Sequence, residues 1–160
     1  MFKDIASNPK HFFKQTKGDF TTPTIVELNA MTFISKSPRQ IFDTILKEVD
    51  PGLKKVPLRI KGKIALLKEV ITDQSSKSPI FLFIDELDNL FGKGDSDSEE
   101  IMFEIFNLTE YPNSRMVTIG ISNSIDLIVK LSQKKKIPLP KMKHLVFEQY
   151  SWRDLFDIVR

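Results

Sequence analysis

The chain has 160 residues, enough for one domain with a real core, with 41% hydrophobic and 28% charged residues, an ordinary balance for a globular protein. Cysteine is absent and the two histidines, His11 and His144, are far apart, which excludes disulfides and thiolate metal sites and argues against a zinc centre. A formal net charge of +3 does not by itself imply nucleic-acid binding, no apolar run approaches the roughly 20 residues needed to cross a bilayer, and Met1-Phe2-Lys3-Asp4-Ile5 lacks the apolar core of a signal peptide, which together point to an intracellular protein with no membrane partner.

Residues 1–23 are polar and mixed, with breaks at Pro9, Gly18 and Pro23; a short helix over 9–16 would use Phe12 and Phe13 as its apolar contacts. Thr24-Ile25-Val26-Glu27-Leu28-Asn29 reads as a strand. Ser37-Pro38-Arg39-Gln40 starts a helix: Ser37 caps, Pro38 suits the first helical position and Gln40 completes a capping box. Ile41, Phe42, Ile45, Leu46 and Val49 follow at helical spacing, and Asp50-Pro51-Gly52 ends the run. A second helix is predicted from Lys61 to Asp73, with Ile64, Leu67 and Ile71 on one face.

Ile80-Phe81-Leu82-Phe83-Ile84 reads as a strand covered on both faces, and it runs directly into Asp85-Glu86. Carboxylates at the carboxyl end of a parallel strand stand where ligands bind in open α/β sheets. An Asp there can hold Mg²⁺ beside a nucleotide's phosphates, and the following Glu can orient or deprotonate a water. This is the Walker-B pattern of P-loop ATPases, although an apolar strand running into a helix start gives the same letters. Residues 91–98 form an acidic turn region, and a helix follows with Ile101, Ile105 and Leu108. Arg115 to Ile121 is a further strand, ending in Ser122-Asn123. A short helical segment, a lysine-rich loop, a strand at 144–147 and a helix opening at Ser151 complete the chain. Strands alternating with helices predict a parallel sheet in an α/β domain.

The central block reads Phe83-Ile84-Asp85-Glu86-Leu87-Asp88-Asn89-Leu90, then Tyr111-Pro112, then Thr118-Ile119-Gly120-Ile121-Ser122-Asn123-Ser124-Ile125-Asp126-Leu127. With Val26-Glu27-Leu28-Asn29-Ala30 upstream and Val146-Phe147-Glu148-Gln149-Tyr150 downstream, this order resembles the AAA+ replication initiators, the group of cell division control protein 6 and origin recognition complex subunit 1. The resemblance implies a three-layer parallel sheet of the AAA+ P-loop NTPase type over residues 1–150 and the start of a helical lid over 151–160. It implies an ATP hydrolase of DNA replication initiation and origin licensing, using ATP and Mg²⁺ in the nucleus. Asp85 would help hold Mg²⁺ and the nucleotide, Glu86 would activate water, and Asn123 would place that water against the terminal phosphate. Partners would be origin DNA, other AAA+ initiator subunits and the replicative helicase loading complex.

The chain departs from that pattern in ways that leave hydrolysis open. It contains no Gly-x-x-x-x-Gly-Lys-Ser/Thr phosphate loop, so by the resemblance the fold would be incomplete at the N-terminus, lacking the first strand and that loop, and would end in the first lid helix. Beyond Leu127 it carries lysines where the family has arginines, and lysine lacks the planar fork that grips a phosphate from two sides. The alternative is therefore an ATPase-incompetent interaction module, a truncated or degenerate paralogue docking on an initiator complex. Two basic stretches are candidates for nucleic-acid or partner contact: Lys54, Lys55, Arg59, Lys61 and Lys63 in the first, and Lys134, Lys135 and Lys136 in the second. Both patterns are also those of a solvated surface.

Overall fold

The computed structural model describes residues 22–34, 39–52, 59–90, 96–127, 129 and 143–159. Three strands, β1 (Thr24–Asn29), β2 (Ile80–Asp85) and β3 (Met116–Gly120), form a parallel sheet in the order β1-β2-β3. The register sets Asn29 opposite Asp85 and Ile84 opposite Gly120, so the three strands finish at one edge. Parallel neighbours need crossover connections. Between β1 and β2 these are α1 (Met31–Ile34), α2 (Gln40–Val49) and α3 (Ile60–Thr72); between β2 and β3 they are the 3₁₀ turn Leu87–Leu90 and α4 (Ser96–Glu110). A last helix, α5, runs from Trp152 to Val159.

β2 explains the layering. Successive side chains of a strand point to opposite faces; Ile80, Leu82 and Ile84 are buried with Val26, Leu28 and Met116 on one face. On the other only Phe83 is buried, Phe81 is half-buried and Val117 and Ile119 are exposed, so among the described residues one face of the sheet is packed rather than the two expected. The expected helical faces supply that packing. Ile41, Phe42, Ile45 and Leu46 of α2 are buried, as are Leu67 and Ile71 of α3, with Ile64 packed against the same cluster. Ile101, Ile105 and Leu108 of α4 are joined in the core by Met102, Phe103 and Phe106. Lys63 of α3 forms a 2.6 Å ion pair with Asp43 of α2, and the hydroxyls of Thr109 in α4 and Thr118 in β3 share a 2.8 Å hydrogen bond.

Helix ends follow local chemistry. At the end of α2 the Asp50 amide donates to the Leu46 carbonyl, and the Asp50 carboxylate accepts from Gly52 N–H in a tight turn. The expected cap of α2 at Ser37 and Pro38 lies outside the described residues, as does the helix expected over 9–16.

One expected element is absent. Residues 144–147 form no strand; Leu145, Val146 and Phe147 are exposed, and 143–151 has no regular structure. The sequence does carry a strand's residue types there, but a strand is held by a neighbour's backbone groups. Among the described residues only β2 pairs with β3, so no further strand joins the sheet beyond it.

Candidate functional site

The carboxyl edge of the sheet gathers the predicted carboxylates and the predicted asparagine. Asp85 closes β2 with its side chain exposed, and its Oδ1 accepts a 2.8 Å hydrogen bond from the Glu86 amide. Glu86 turns the chain with φ 55°, a left-handed conformation that non-glycine residues seldom adopt. The turn is fixed on both sides: the Leu87 amide donates to the Ile121 carbonyl at 2.9 Å, and the Asn89 amide donates to the Glu86 carbonyl at 3.0 Å. Leu87 and Leu90 anchor it in the core.

β3 delivers Asn123 to the same place. The Ile121 amide still donates to the Ile84 carbonyl, 2.8 Å, so the ladder runs one step past the strand proper before Ser122 and Asn123 bend away. The Asn123 amide donates to Asp88 Oδ1 at 3.2 Å, and its side-chain Nδ2 stands 3.5 Å from Glu86 Oε2. Glu86 Oε2 also accepts a 3.0 Å hydrogen bond from Asn89 Nδ2. Glu86 and Asn123, 37 positions apart, thus form one polar group with Asp88 and Asn89.

Asp88, Asn89 and Gly120 stand within the motifs quoted above, with no role assigned to them there. Asn89 gave no signal in isolation. Gly120 did: a lone glycine inside a strand marks a close approach, and a Cβ there would lie 2.6 Å from Leu87 Cδ2. Gly120 therefore makes room for Leu87, which seats the turn bearing the carboxylates.

No cluster of three or more histidine, cysteine, aspartate or glutamate side chains able to cage a metal occurs among the described residues. A single exposed carboxylate such as Asp85 suits Mg²⁺, a hard cation that keeps several waters and is shared between one or two carboxylates and substrate phosphates.

Of the basic candidates, Arg59, Lys61 and Lys63 lie among the described residues. Ile71 O, near the end of α3, accepts from the Arg115 amide at the start of β3, so α3 runs back to the amino edge and its first turn, with exposed Arg59 and Lys61, lies toward the carboxyl edge. Lys63 is engaged with Asp43. Lys54, Lys55, Lys134, Lys135 and Lys136 lie outside the described residues.

Comparison with known proteins agrees with this geometry. The sequence profile of the ATPase family associated with various cellular activities (AAA) matches residues 10–136. The chain is similar to origin recognition complex subunit 1 of Debaryomyces hansenii, 22% identical over 143 residues, covering 89% of this chain and 16% of that protein. It is also similar to cell division control protein 6 homolog B of Arabidopsis thaliana, 29% identical over 155 residues, covering 91% of this chain and 29% of the relative. Origin of replication complex subunit 1 of Oryza sativa subsp. japonica is 34% identical over 149 residues, covering 89% of this chain and 17% of that protein. The chain thus spans less than a third of the length of each of these relatives.

Proposed function

Since the chain belongs to the AAA family of ATPases, we propose that it is a nucleotide-responsive domain of the initiator type, acting in DNA replication initiation and origin licensing in the nucleus. The observation that carries this reading is the placement of Glu86 and Asn123 side by side, 3.5 Å apart, at the edge where β2 also presents Asp85. A fold that only filled space would not need two carboxylates and an amide assembled there from separate strands.

In this reading residues 1–150 are core and 151–160 begin a lid. ATP would bind at the carboxyl edge, where Asp85 would help hold its Mg²⁺. When bound, the ion draws charge from the phosphate oxygens. The Glu86 carboxylate would accept a hydrogen bond from the attacking water, and Asn123 would fix that water's direction toward the terminal phosphate. Both act by positioning more than by covalent chemistry, which suits phosphoryl transfer. Arg59 and Lys61 meet origin DNA through its phosphates, with Lys54, Lys55, Lys63 and Lys134–Lys136 as further contacts to DNA or to other initiator subunits and the helicase loading complex.

A second reading is favoured by a specific observation: the 160 residues contain no Gly-x-x-x-x-Gly-Lys-Ser/Thr sequence to wrap the phosphates. The domain is then a docking module that does not respond to nucleotide. Binding of the purified chain to initiator subunits and origin DNA, measured with MgATP, with ADP and without nucleotide, separates the two. Association strengthened by MgATP and weakened by Asp85→Ala supports the first reading. Association indifferent to both supports the second, and no association with either partner overturns both.

A further inference from the structure

We propose that Asn89 is a positioning residue for Glu86, and that with Asp88 it makes the 87–90 turn a clamp joining Glu86 to Asn123. The proposal rests on the reading of this edge as the place where a water is presented to a nucleotide. Glu86 carries a long side chain on the rim of the sheet, where nothing in the strand fixes its rotamers. The two residues after Leu87 supply what the strand does not.

Asn89 makes two separate contacts to Glu86. Its backbone amide closes the 3₁₀ turn on the Glu86 carbonyl at 3.0 Å, and that bond alone accounts for the turn. Its side-chain amide adds nothing to the turn; it donates at 3.0 Å to Glu86 Oε2, the same oxygen that faces Asn123 Nδ2 at 3.5 Å. Asp88 works from the other side, where its Oδ1 accepts the Asn123 backbone N–H at 3.2 Å. Asn89 therefore sets the carboxylate and Asp88 sets the strand that carries the amide. Neither has to touch substrate.

Nuclear magnetic resonance of the folded chain tests this through the side-chain NH₂ signals of Asn123. Glu86→Ala should displace those signals when Asn89 is present, and the displacement should fall at least twofold in an Asn89→Ala background. Asn89→Ser, which restores a short donor, should recover part of it. An equal displacement with and without Asn89 would overturn the proposal, because a residue that merely closes the turn leaves the link between Glu86 and Asn123 intact. Should Asn89→Ala lose the dispersed spectrum of a folded chain, the near-isosteric Asn89→Asp must show the same loss of coupling or the proposal fails. The sample holds no nucleotide, so failure here is distinct from a failure of MgATP dependence in the association experiment.

Discussion

Position 86 holds a glutamate where the backbone favours glycine. A left-handed conformation costs an L-residue on the order of 1–2 kcal/mol, and Glu86 sits at φ 55° immediately after the buried Ile84 and exposed Asp85. Such strain persists where surrounding contacts over-determine it, here the hydrogen bonds from Leu87 and Asn89. Comparing two substitutions isolates it. Both Glu86→Ala and Glu86→Gly remove the carboxylate, but only glycine relaxes the backbone, so the glycine variant should be the more stable by about 1 kcal/mol in urea unfolding. Equal midpoints would show that the position carries no strain. Gly120 presents the converse case. Gly120 itself is exposed, but a methyl added there would lie 2.6 Å from Cδ2 of the buried Leu87, and because Leu87 has little room to give, Gly120→Ala should cost roughly 1–3 kcal/mol. Because Leu87 seats the turn, the same change should shift the side-chain signals of Asn89 and Asn123.

At the scale of elements, Arg115 joins three pieces of chain at the amino edge. Its guanidinium donates to Val70 O in the last turn of α3 at 2.8 Å, to Ser76 Oγ at 3.1 Å and to the Ser78 carbonyl, while its Nε is buried with no partner among the described residues. Arg115→Met keeps the stem but leaves those carbonyls without a donor, at a cost of roughly 1–3 kcal/mol. Arg115→Lys should recover little, because one ammonium cannot span the three acceptors. The start of α5 responds to pH. Ser151 N–H donates to Asp154 Oδ2 at 2.8 Å, and the Asp154 amide donates to Ser151 Oγ at 3.3 Å, a reciprocal cap. These bonds, the Ser151 hydroxyl first, hold the Asp154 carboxyl below the ordinary aspartate range. A depressed native pKa means that the carboxylate's stabilisation is present above the unfolded value, about 3.9, and is lost as pH falls through the lower native one. Helicity of α5 should therefore fall on acidification below about pH 4 in the native chain. In Asp154→Asn that step should disappear, as followed by circular dichroism of the two proteins.

For the molecule as a whole, what the sequence made legible was what local pattern controls. Ile64, Leu67 and Ile71 recur at helical spacing and are the face α3 buries; Ile80, Leu82 and Ile84 are the face β2 buries, but the same unbroken apolar run predicted cover on its other face, where Phe81 is only half-buried beside exposed Val117. Asp85, Glu86 and Asn123 could be placed at one edge because each follows a parallel strand. What pattern does not encode is who pairs with whom. Asn89 and Asp88 matter through partners on and beyond the turn, and Arg115 through carbonyls 37 and 45 positions away. The strand expected at 144–147 failed for the same reason: its residue types suit a sheet, but its place depends on a neighbour that no local pattern reveals. The consequence is a segment that contributes no buried side chain. Leu145, Phe147, Trp152, Phe156 and Val159 are all at least half exposed, so nothing between 143 and 159 adds to the core cluster. Ending the chain after Met142 should leave the thermal midpoint within about 2 °C of the parent, a small shift for a domain in which about 1 kcal/mol moves it by several degrees. It should also reduce binding of a hydrophobic dye, since exposed apolar side chains are what such a dye adsorbs to. A fall in midpoint of 5 °C or more, roughly the effect of losing a buried contact, would mean that these residues pack on the core in solution.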